Sequence, residues 1–183
     1  NPLDDPEDII ENTIKEQLKT ISGFGGNKMI DKSYFEMAQE IKHFAISLTG
    51  EPTMYPRLGE LIQGLNKRNI SSFLVTNGQY PDSIEKLEGE NSLPTQIYVS
   101  LDAPTKEIYY EIDKPMNHDF WERFNKTLEI INRIKNKTRT VLRITAVKRR
   151  NMCNEKEYSD LIRKADPKFL EIKGFSLVGP SKD

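Results

Sequence analysis

The sequence of 183 residues predicts an α/β protein built on a parallel sheet. Short, nearly all-apolar runs rich in β-branched residues alternate with longer segments of helical periodicity, as in parallel strands joined by helical crossovers. The composition is uniform along the chain, so we expect a single domain over residues 1–183. Five strands are visible, too few for a closed eight-stranded barrel. A doubly wound sheet and an open, incomplete barrel both fit this pattern.

Two helices are predicted before the first strand. The first begins at Pro6, where neighbouring acidic residues suit a helix N-terminus, and apolar residues follow at helical spacing. It ends at a glycine-rich break over residues 23–26. Ser33 and Glu36 have the spacing of a capping box, so Ser33 should cap a second helix.

From residue 43 onward, predicted strands and helices alternate. Strands are recognised by their apolar, β-branched runs and helices by apolar stripes of helical period. The predicted elements are strand 43–48, helix 55–68, strand 71–75, helix 82–87, strand 96–101, short helix 106–110, helix 120–135, strand 140–147, helix 155–165 and strand 169–177.

The composition excludes several classes of protein. A single cysteine, Cys153, cannot form a disulfide framework, which favours a cytoplasmic location. No apolar run approaches the roughly 20 residues that a transmembrane helix needs, and no signal-peptide pattern is present. The net charge is −1, but basic residues cluster around the fourth strand. This cluster, which a solvated loop would also explain, comprises Arg139, Arg143, Lys148, Arg149 and Arg150.

Polar residues occur where each predicted strand ends. Any one set fits ordinary turn or capping chemistry. The carboxyl ends of parallel strands, however, share one edge, and ligands bind there. Charged groups at that edge favour a polar, zwitterionic ligand, with Glu51 accepting from an ammonium group and Arg143 holding a carboxylate. The strand-end residues are Thr49, Gly50, Glu51, Asn77, Gly78, Ser100, Asp102, Arg143, Thr145, Lys148, Glu171 and Lys173.

Common catalytic and metal motifs are missing from the sequence. It contains no GxGxxG, Walker A, HExxH or CxxC pattern. Neither His43 nor His118 has a partner that would make a nucleophile–base pair. We therefore predict no metal ligands in this chain and assign no catalytic residue.

Five segments of the sequence are informative together: residues 46–53, 73–78, 98–104, 142–148 and 169–174. In their order and spacing they resemble the tRNA 4-demethylwyosine synthases, a family of radical S-adenosylmethionine (SAM) enzymes. The Gly50-Glu51 pair alone would indicate only a radical SAM protein, whereas residues 113–115 and 120–123 are similar to this family in particular. The resemblance covers nearly the whole chain.

The resemblance implies a partial (β/α)₆ TIM-like barrel, with SAM across the strand ends beside a [4Fe–4S] cluster. The motif Thr49-Gly50-Glu51 matches the family's glycine–glutamate motif, and Glu51 would take the methionine ammonium. The other implied SAM-binding residues are Asn77, Ser100, Asp102, Arg143 and Thr145.

The resemblance also implies a reaction and its partners. Reductive cleavage of SAM would activate N1-methylguanosine beside the anticodon of tRNA(Phe) for condensation with a two-carbon unit of pyruvate. A reductant protein or a flavin domain with FMN would supply electrons. Lys148, Asn151 and Lys173 would face the substrate.

The sequence departs from the family in its cysteines. A four-iron cluster needs several thiolates, and we expect the family's CxxxCxxC motif, a second cysteine set and a pyruvate-binding lysine to lie before Asn1. We therefore expect a truncated piece that lacks the first barrel strand and the end of the barrel. As it stands, it should bind no cluster and show no turnover, with the catalytic residues upstream.

Other interpretations stay open at this stage. The chain could belong to a radical SAM enzyme with another substrate, to a non-catalytic α/β binding module, or to an aldolase-like barrel with Lys173 as a Schiff-base lysine. On the tRNA interpretation, we expect phosphate contacts from Arg139, Lys148, Arg149 and Arg150.

Overall fold

Five parallel strands form one sheet in chain order. The computed structural model describes residues 3–47 and 50–176. Every neighbouring pair of strands is parallel, and the spatial order never reverses. A doubly wound sheet requires such a reversal, so the α/β prediction is confirmed with the strand order of an open, partial barrel. The strands are β1 (His43–Ile46), β2 (Ser71–Thr76), β3 (Gln96–Ser100), β4 (Arg139–Ala146) and β5 (Phe169–Gly174).

Seven α-helices and one short 3₁₀ turn, Pro52–Met54, accompany these strands within the described ranges. The predicted helices are confirmed, with ends that differ by a few residues. No helix in this part of the chain is long and apolar enough to cross a membrane. The helices are α1 (Pro6–Ser22), α2 (Lys32–Ala38), α3 (Leu58–Lys67), α4 (Pro81–Gly89), α5 (Lys106–Asp113), α6 (Phe120–Ile134) and α7 (Glu155–Ala165).

One predicted helix cap is wrong. Ser33 lies inside α2, and Asp31 is the capping residue. The Asp31 carboxylate accepts from both the backbone N–H and the hydroxyl of Ser33, at 2.8 and 2.6 Å. The charged Asp31 side chain, two residues earlier, therefore takes the capping role. At α1 the prediction holds, because Pro6 is the first helical residue and Asp5 caps the helix.

The hydrophobic core lies between one face of the sheet and the helices. Residues alternate in burial along β2 and β3, as expected for strands with one covered face. Leu74, Ile97 and Val99 are fully buried there. Each such side chain contributes about 1.5–3 kcal/mol through burial. The helical residues that join them include Ile62, Leu65, Ile84, Phe124, Leu128 and Ile131.

Three sequence predictions fall outside the described residues. They are the end of the first strand at Leu48, the candidate ligand residue Thr49 and the end of the last strand at Leu177.

Gly78, directly after β2, provides a test of this packing. Its φ is +74°, and a Cβ would lie 3.1 Å from Cδ2 of Phe124. We expect Gly78→Ala to lower the free energy of unfolding by about 1–2 kcal/mol from backbone strain alone, with further loss from crowding. Urea denaturation measures this change. Gly89→Ala is the matched control, because a Cβ there meets nothing within 4 Å. Equal stabilities of the two variants would contradict this account.

Candidate functional site

The first half of the candidate site joins the loop after β1 to the end of β2. The backbone N–H of Asn77 donates to Oε2 of Glu51 at 2.8 Å. Thr76 pairs with Val99 in the sheet, which puts Asn77 level with Ser100 at the end of β3. Glu51, Asn77 and Ser100 therefore follow one another along the carboxyl edge of the sheet.

The second half of the site joins β3 to β4. Ser100 and Arg143 are partners in the strand register. The backbone N–H of Thr145 donates to Oδ1 of Asp102 at 3.1 Å. The predicted ligand residues thus form one continuous row, which we call the strand-end site; it comprises Glu51, Asn77, Ser100, Asp102, Arg143 and Thr145.

The Glu51 carboxylate ties its loop to β2. Oε1 accepts from the backbone N–H of Thr53 at 3.1 Å and from the hydroxyls of Thr53 and Thr76 at 2.5 and 2.7 Å. Oε2 accepts only from Asn77 among the described donors. A carboxylate has about four acceptor positions, so the open one is on Oε2. The predicted ammonium contact of Glu51 stays a prediction and would use that atom.

A buried pair behind Asn77 holds its loop. The Gln79 amide donates to the Tyr109 hydroxyl at 2.9 Å and to the carbonyl of Phe120 at 3.1 Å. The Tyr109 hydroxyl donates to the carbonyl of Asn77 at 3.3 Å. Burial raises the pKa of Tyr109, so its hydroxyl remains a donor. Sequence reasoning missed both residues, because their partners are distant in the chain.

Asp102 is an acidic residue whose carboxyl group is partly buried. Burial raises the pKa of its carboxyl, and the hydrogen bonds from Thr145 and the charge of Arg143 lower it in part. The carboxyl therefore takes up a proton more readily than an exposed aspartate does.

Arg143 has a buried donor without a partner. Among the described residues, its Nε makes no hydrogen bond, and Oε2 of Glu171 is the facing acceptor at 3.7 Å. An unpaired buried donor is unfavourable unless a ligand completes it. A carboxylate that reached this atom would complete it.

The three predicted substrate residues differ in placement. Lys148 is exposed on the loop after β4, and Lys173 is exposed beside Thr145 in the strand register. Asn151 is buried, and both ends of its amide are hydrogen-bonded to backbone groups. Its predicted substrate contact is therefore corrected, because its side chain points into the protein.

The predicted basic cluster divides between the two ends of β4. Arg139 is the first residue of that strand and Lys148 lies beyond its last, and eight residues of strand span roughly 25 Å. The Arg139 guanidinium donates to Oε1 of Gln96 at 3.1 Å and lies 6.0 Å from the Phe169 ring. The two residues therefore do not form one cluster, because the strand separates them, and the phosphate contact of Arg139 stays a prediction.

The side chains of this protein chain do not supply the ligands of a four-iron cluster. Within residues 3–47 and 50–176, no three His, Cys, Asp or Glu side chains gather as a metal site. Cys153 is the single cysteine of the sequence, and one thiolate cannot hold a four-iron cluster.

A cavity of about 670 Å³ lies away from this edge, beside the edge strand β1 and between α1 and α2. Its lining is mainly apolar, including Ile14, Ile21 and Met37. A ligand site combines space with a few convergent polar groups, and the strand-end site supplies such groups.

The parallel sheet and the polar row at its carboxyl edge define the class of protein. The chain matches the Radical SAM superfamily over residues 1–162. It therefore belongs to the radical SAM superfamily, whose members generally use SAM and a [4Fe–4S] cluster.

Within that superfamily, the predicted resemblance to tRNA 4-demethylwyosine synthases is confirmed. The chain is 46% identical over 182 residues to the S-adenosyl-L-methionine-dependent tRNA 4-demethylwyosine synthase of Pyrococcus abyssi. The alignment covers 100% of this chain and 53% of the relative, so the chain spans about half the length of that protein. The enzyme of the same name from Saccharomyces cerevisiae is 40% identical, with 98% of this chain and 22% of the relative covered.

Solved structures agree with this comparison. A structure of TYW1 with a lysine–pyruvate adduct bound matches with a TM-score of 0.84 and 33% identity, over 98% of this chain and 57% of that one. Archaeal TYW1 matches with a TM-score of 0.78 and 34% identity, over 92% of this chain and 56% of that one. Streptococcus suis SuiB, at 18% identity and a TM-score of 0.56, shares the fold.

The raised pKa of Asp102 predicts a pH-dependent effect on stability. Its folded state binds a proton more tightly than the unfolded chain does, so ionised Asp102 reduces stability at neutral pH. Asp102→Asn keeps an oxygen for Thr145 and removes the charge. We expect a higher Tm at pH 7.5 and a difference that shrinks toward about pH 4, where the unfolded carboxyl is also protonated.

Asp82→Asn is the control of opposite sign. The hydrogen bond from Lys126 lowers the pKa of Asp82, so this substitution should lower Tm at neutral pH and lose its effect in acid. Thermal melts from pH 4 to 8 test Asp102→Asn, and melts extended below pH 3.8 test Asp82→Asn, whose effect is lost only as the pH falls through its lowered pKa. A lower Tm for Asp102→Asn at pH 7.5 would contradict the sign assigned to Asp102.

Proposed function

We propose that the complete protein containing this chain is a tRNA 4-demethylwyosine synthase, which condenses N1-methylguanosine of tRNA(Phe) with a two-carbon unit of pyruvate. The observation that carries the proposal is the continuous strand-end site. It occurs in a chain whose every part aligns with such an enzyme. We also propose that residues 1–183 form one barrel domain of a cytoplasmic protein.

The residues of the strand-end site would bind SAM. The Arg143 guanidinium would hold the methionine carboxylate, and Oε2 of Glu51 would offer its open acceptor position to the ammonium. Ser100 and Asp102 stand between them and can bond ribose hydroxyls. Gly50, with a φ of +77°, lets the loop backbone approach the ligand where nothing would meet a Cβ. Thr49, in the same motif, completes the proposed set.

The proposed reaction also requires an iron–sulfur cluster, a source of electrons and pyruvate. Because this chain has a single cysteine, the cysteine ligands of the cluster would come from elsewhere in the complete protein. A reductant protein or an FMN-containing flavin domain would supply electrons. The similar TYW1 structure has a lysine–pyruvate adduct bound, which supports pyruvate as co-substrate. Lys173 would lie on the substrate side, one strand beyond Thr145.

The loop after β4 would contact tRNA. Lys148, Arg149 and Arg150 are exposed there, next to the strand-end site. Arg150 also contacts Glu111 of α5 at 3.2 Å, which links this loop to the segment after β3. A basic surface beside a SAM site fits a polyanionic substrate.

Mass spectrometry of cellular tRNA tests the proposed reaction. Cells that lack the complete gene should accumulate N1-methylguanosine in tRNA(Phe) and lose the tricyclic base derived from it. Restoring the gene should reverse both changes. Unchanged tRNA would contradict the proposal and favour a radical SAM enzyme with another substrate.

The salt dependence of tRNA binding tests the basic loop. Replacing Arg149 and Arg150 by alanine should reduce the slope of log K against log salt by roughly 1 to 2, since each phosphate contact contributes about 0.7–0.9. Arg139→Ala is the matched control, because Arg139 lies at the opposite end of β4. A slope unchanged in the double variant, or flattened equally by Arg139→Ala, would contradict this assignment.

A further inference from the structure

Asn151 occupies a buried position directly beneath the strand-end site. Its side chain is 2% exposed. Oδ1 accepts from the backbone N–H of Val147 at 2.7 Å. Nδ2 donates to the carbonyls of Thr145 and Asp102, both at 2.8 Å. One side chain therefore joins the end of β4 to the loop that follows β3.

This bridge begins where the strand ladder stops. The last paired residues of β3 and β4 are Ser100 and Arg143, and one more backbone bond follows from Leu101 to the carbonyl of Arg143 at 2.8 Å. Beyond that point the backbone of Asp102 is held by side chains. Where parallel strands diverge, their backbone N–H and C=O groups lose their partners in the sheet. Here the Asn151 side chain provides the missing hydrogen-bond partners.

Two further contacts reinforce the same junction. The Asp102 carboxylate accepts from the backbone N–H of Thr145 at 3.1 Å. The Tyr158 hydroxyl of α7 donates to the carbonyl of Asp102 at 3.4 Å. Asp102 is thus held at its carbonyl by Asn151 and Tyr158 and at its side chain by Thr145.

We propose that Asn151 is a positioning residue that fixes Asp102 and Thr145 in the geometry in which they contact SAM. Asn151 acts through these two residues and does not itself touch the ligand. The inference rests on the proposed function, because it assigns SAM to the strand-end site. An asparagine suits this position, because its short side-chain amide carries one acceptor oxygen and two N–H donors together.

The test compares Asn151→Ala with Asn132→Ala in the complete, cluster-containing protein. Asn132 donates to the carbonyl of Lys164 at 2.9 Å and joins α6 to α7, away from the sheet edge. The measurements are Tm, amide hydrogen exchange at Thr145 and Val147, and the Kd for SAM by equilibrium dialysis.

We expect both variants to lower Tm, because each loses a side chain to backbone bond. Asn151→Ala alone should speed exchange at Thr145 and Val147 and raise the SAM Kd by about tenfold or more, since it removes several hydrogen bonds. Asn132→Ala should leave the SAM Kd within about twofold of wild type, because substitutions at distant sites act independently.

A second variant keeps the test decisive if Asn151→Ala does not fold. Asn151→Asp keeps the shape and the acceptor for Val147 but, when ionised, loses both donors and puts a carboxylate oxygen against the carbonyls of Thr145 and Asp102. It should raise the SAM Kd at least as much as Asn151→Ala does, by about tenfold or more.

The outcomes separate the two proposals. Wild-type SAM affinity in a folded Asn151→Ala or Asn151→Asp protein would overturn the positioning role and leave the proposed function standing. Failure of the wild-type, cluster-containing protein to bind SAM would overturn the proposed function and this inference with it.

Discussion

Parallel pairing of the strands in chain order is the constraint on which the rest of the structure depends. It brings every strand to an end at the same edge, so that loops distant in sequence become neighbours. Two hydrogen bonds then join these loops: Asn77 to Glu51, and Thr145 to Asp102. In each, a backbone N–H of one strand end meets a carboxylate from the adjacent loop. The site is therefore a consequence of the sheet.

The electrostatics of this edge suit a zwitterionic ligand. Backbone and hydroxyl donors surround the Glu51 carboxylate. Asp102 has fewer such donors, and burial raises its pKa. Arg143 is the opposite case, because its Nε makes no hydrogen bond among the described residues and faces Glu171 at 3.7 Å. Acceptor capacity at one end and donor capacity at the other match an ammonium and a carboxylate carried by one molecule.

Sequence patterns predicted the fold class and the strand-end row, because apolar periodicity locates strands and parallel pairing then decides which residues meet. The sequence patterns failed for residues whose contacts cannot be inferred from their separation along the chain. Gln79 and Tyr109 were missed because their bond spans 30 residues. The resemblance implied that Asn151 would face the substrate, yet its amide closes the gap between two strands. Arg139 is near Lys148 in sequence, but a whole strand separates them in space.

We propose that SAM lies across the carboxyl ends of β1, β2, β3 and β4. Hydrogen-exchange mass spectrometry of the complete, cluster-containing protein with and without SAM measures this directly. We expect slower exchange confined to residues 50–53, 76–79, 100–103 and 143–147. Protection confined to the apolar groove beside β1, or no protection at all under saturating SAM, would contradict it.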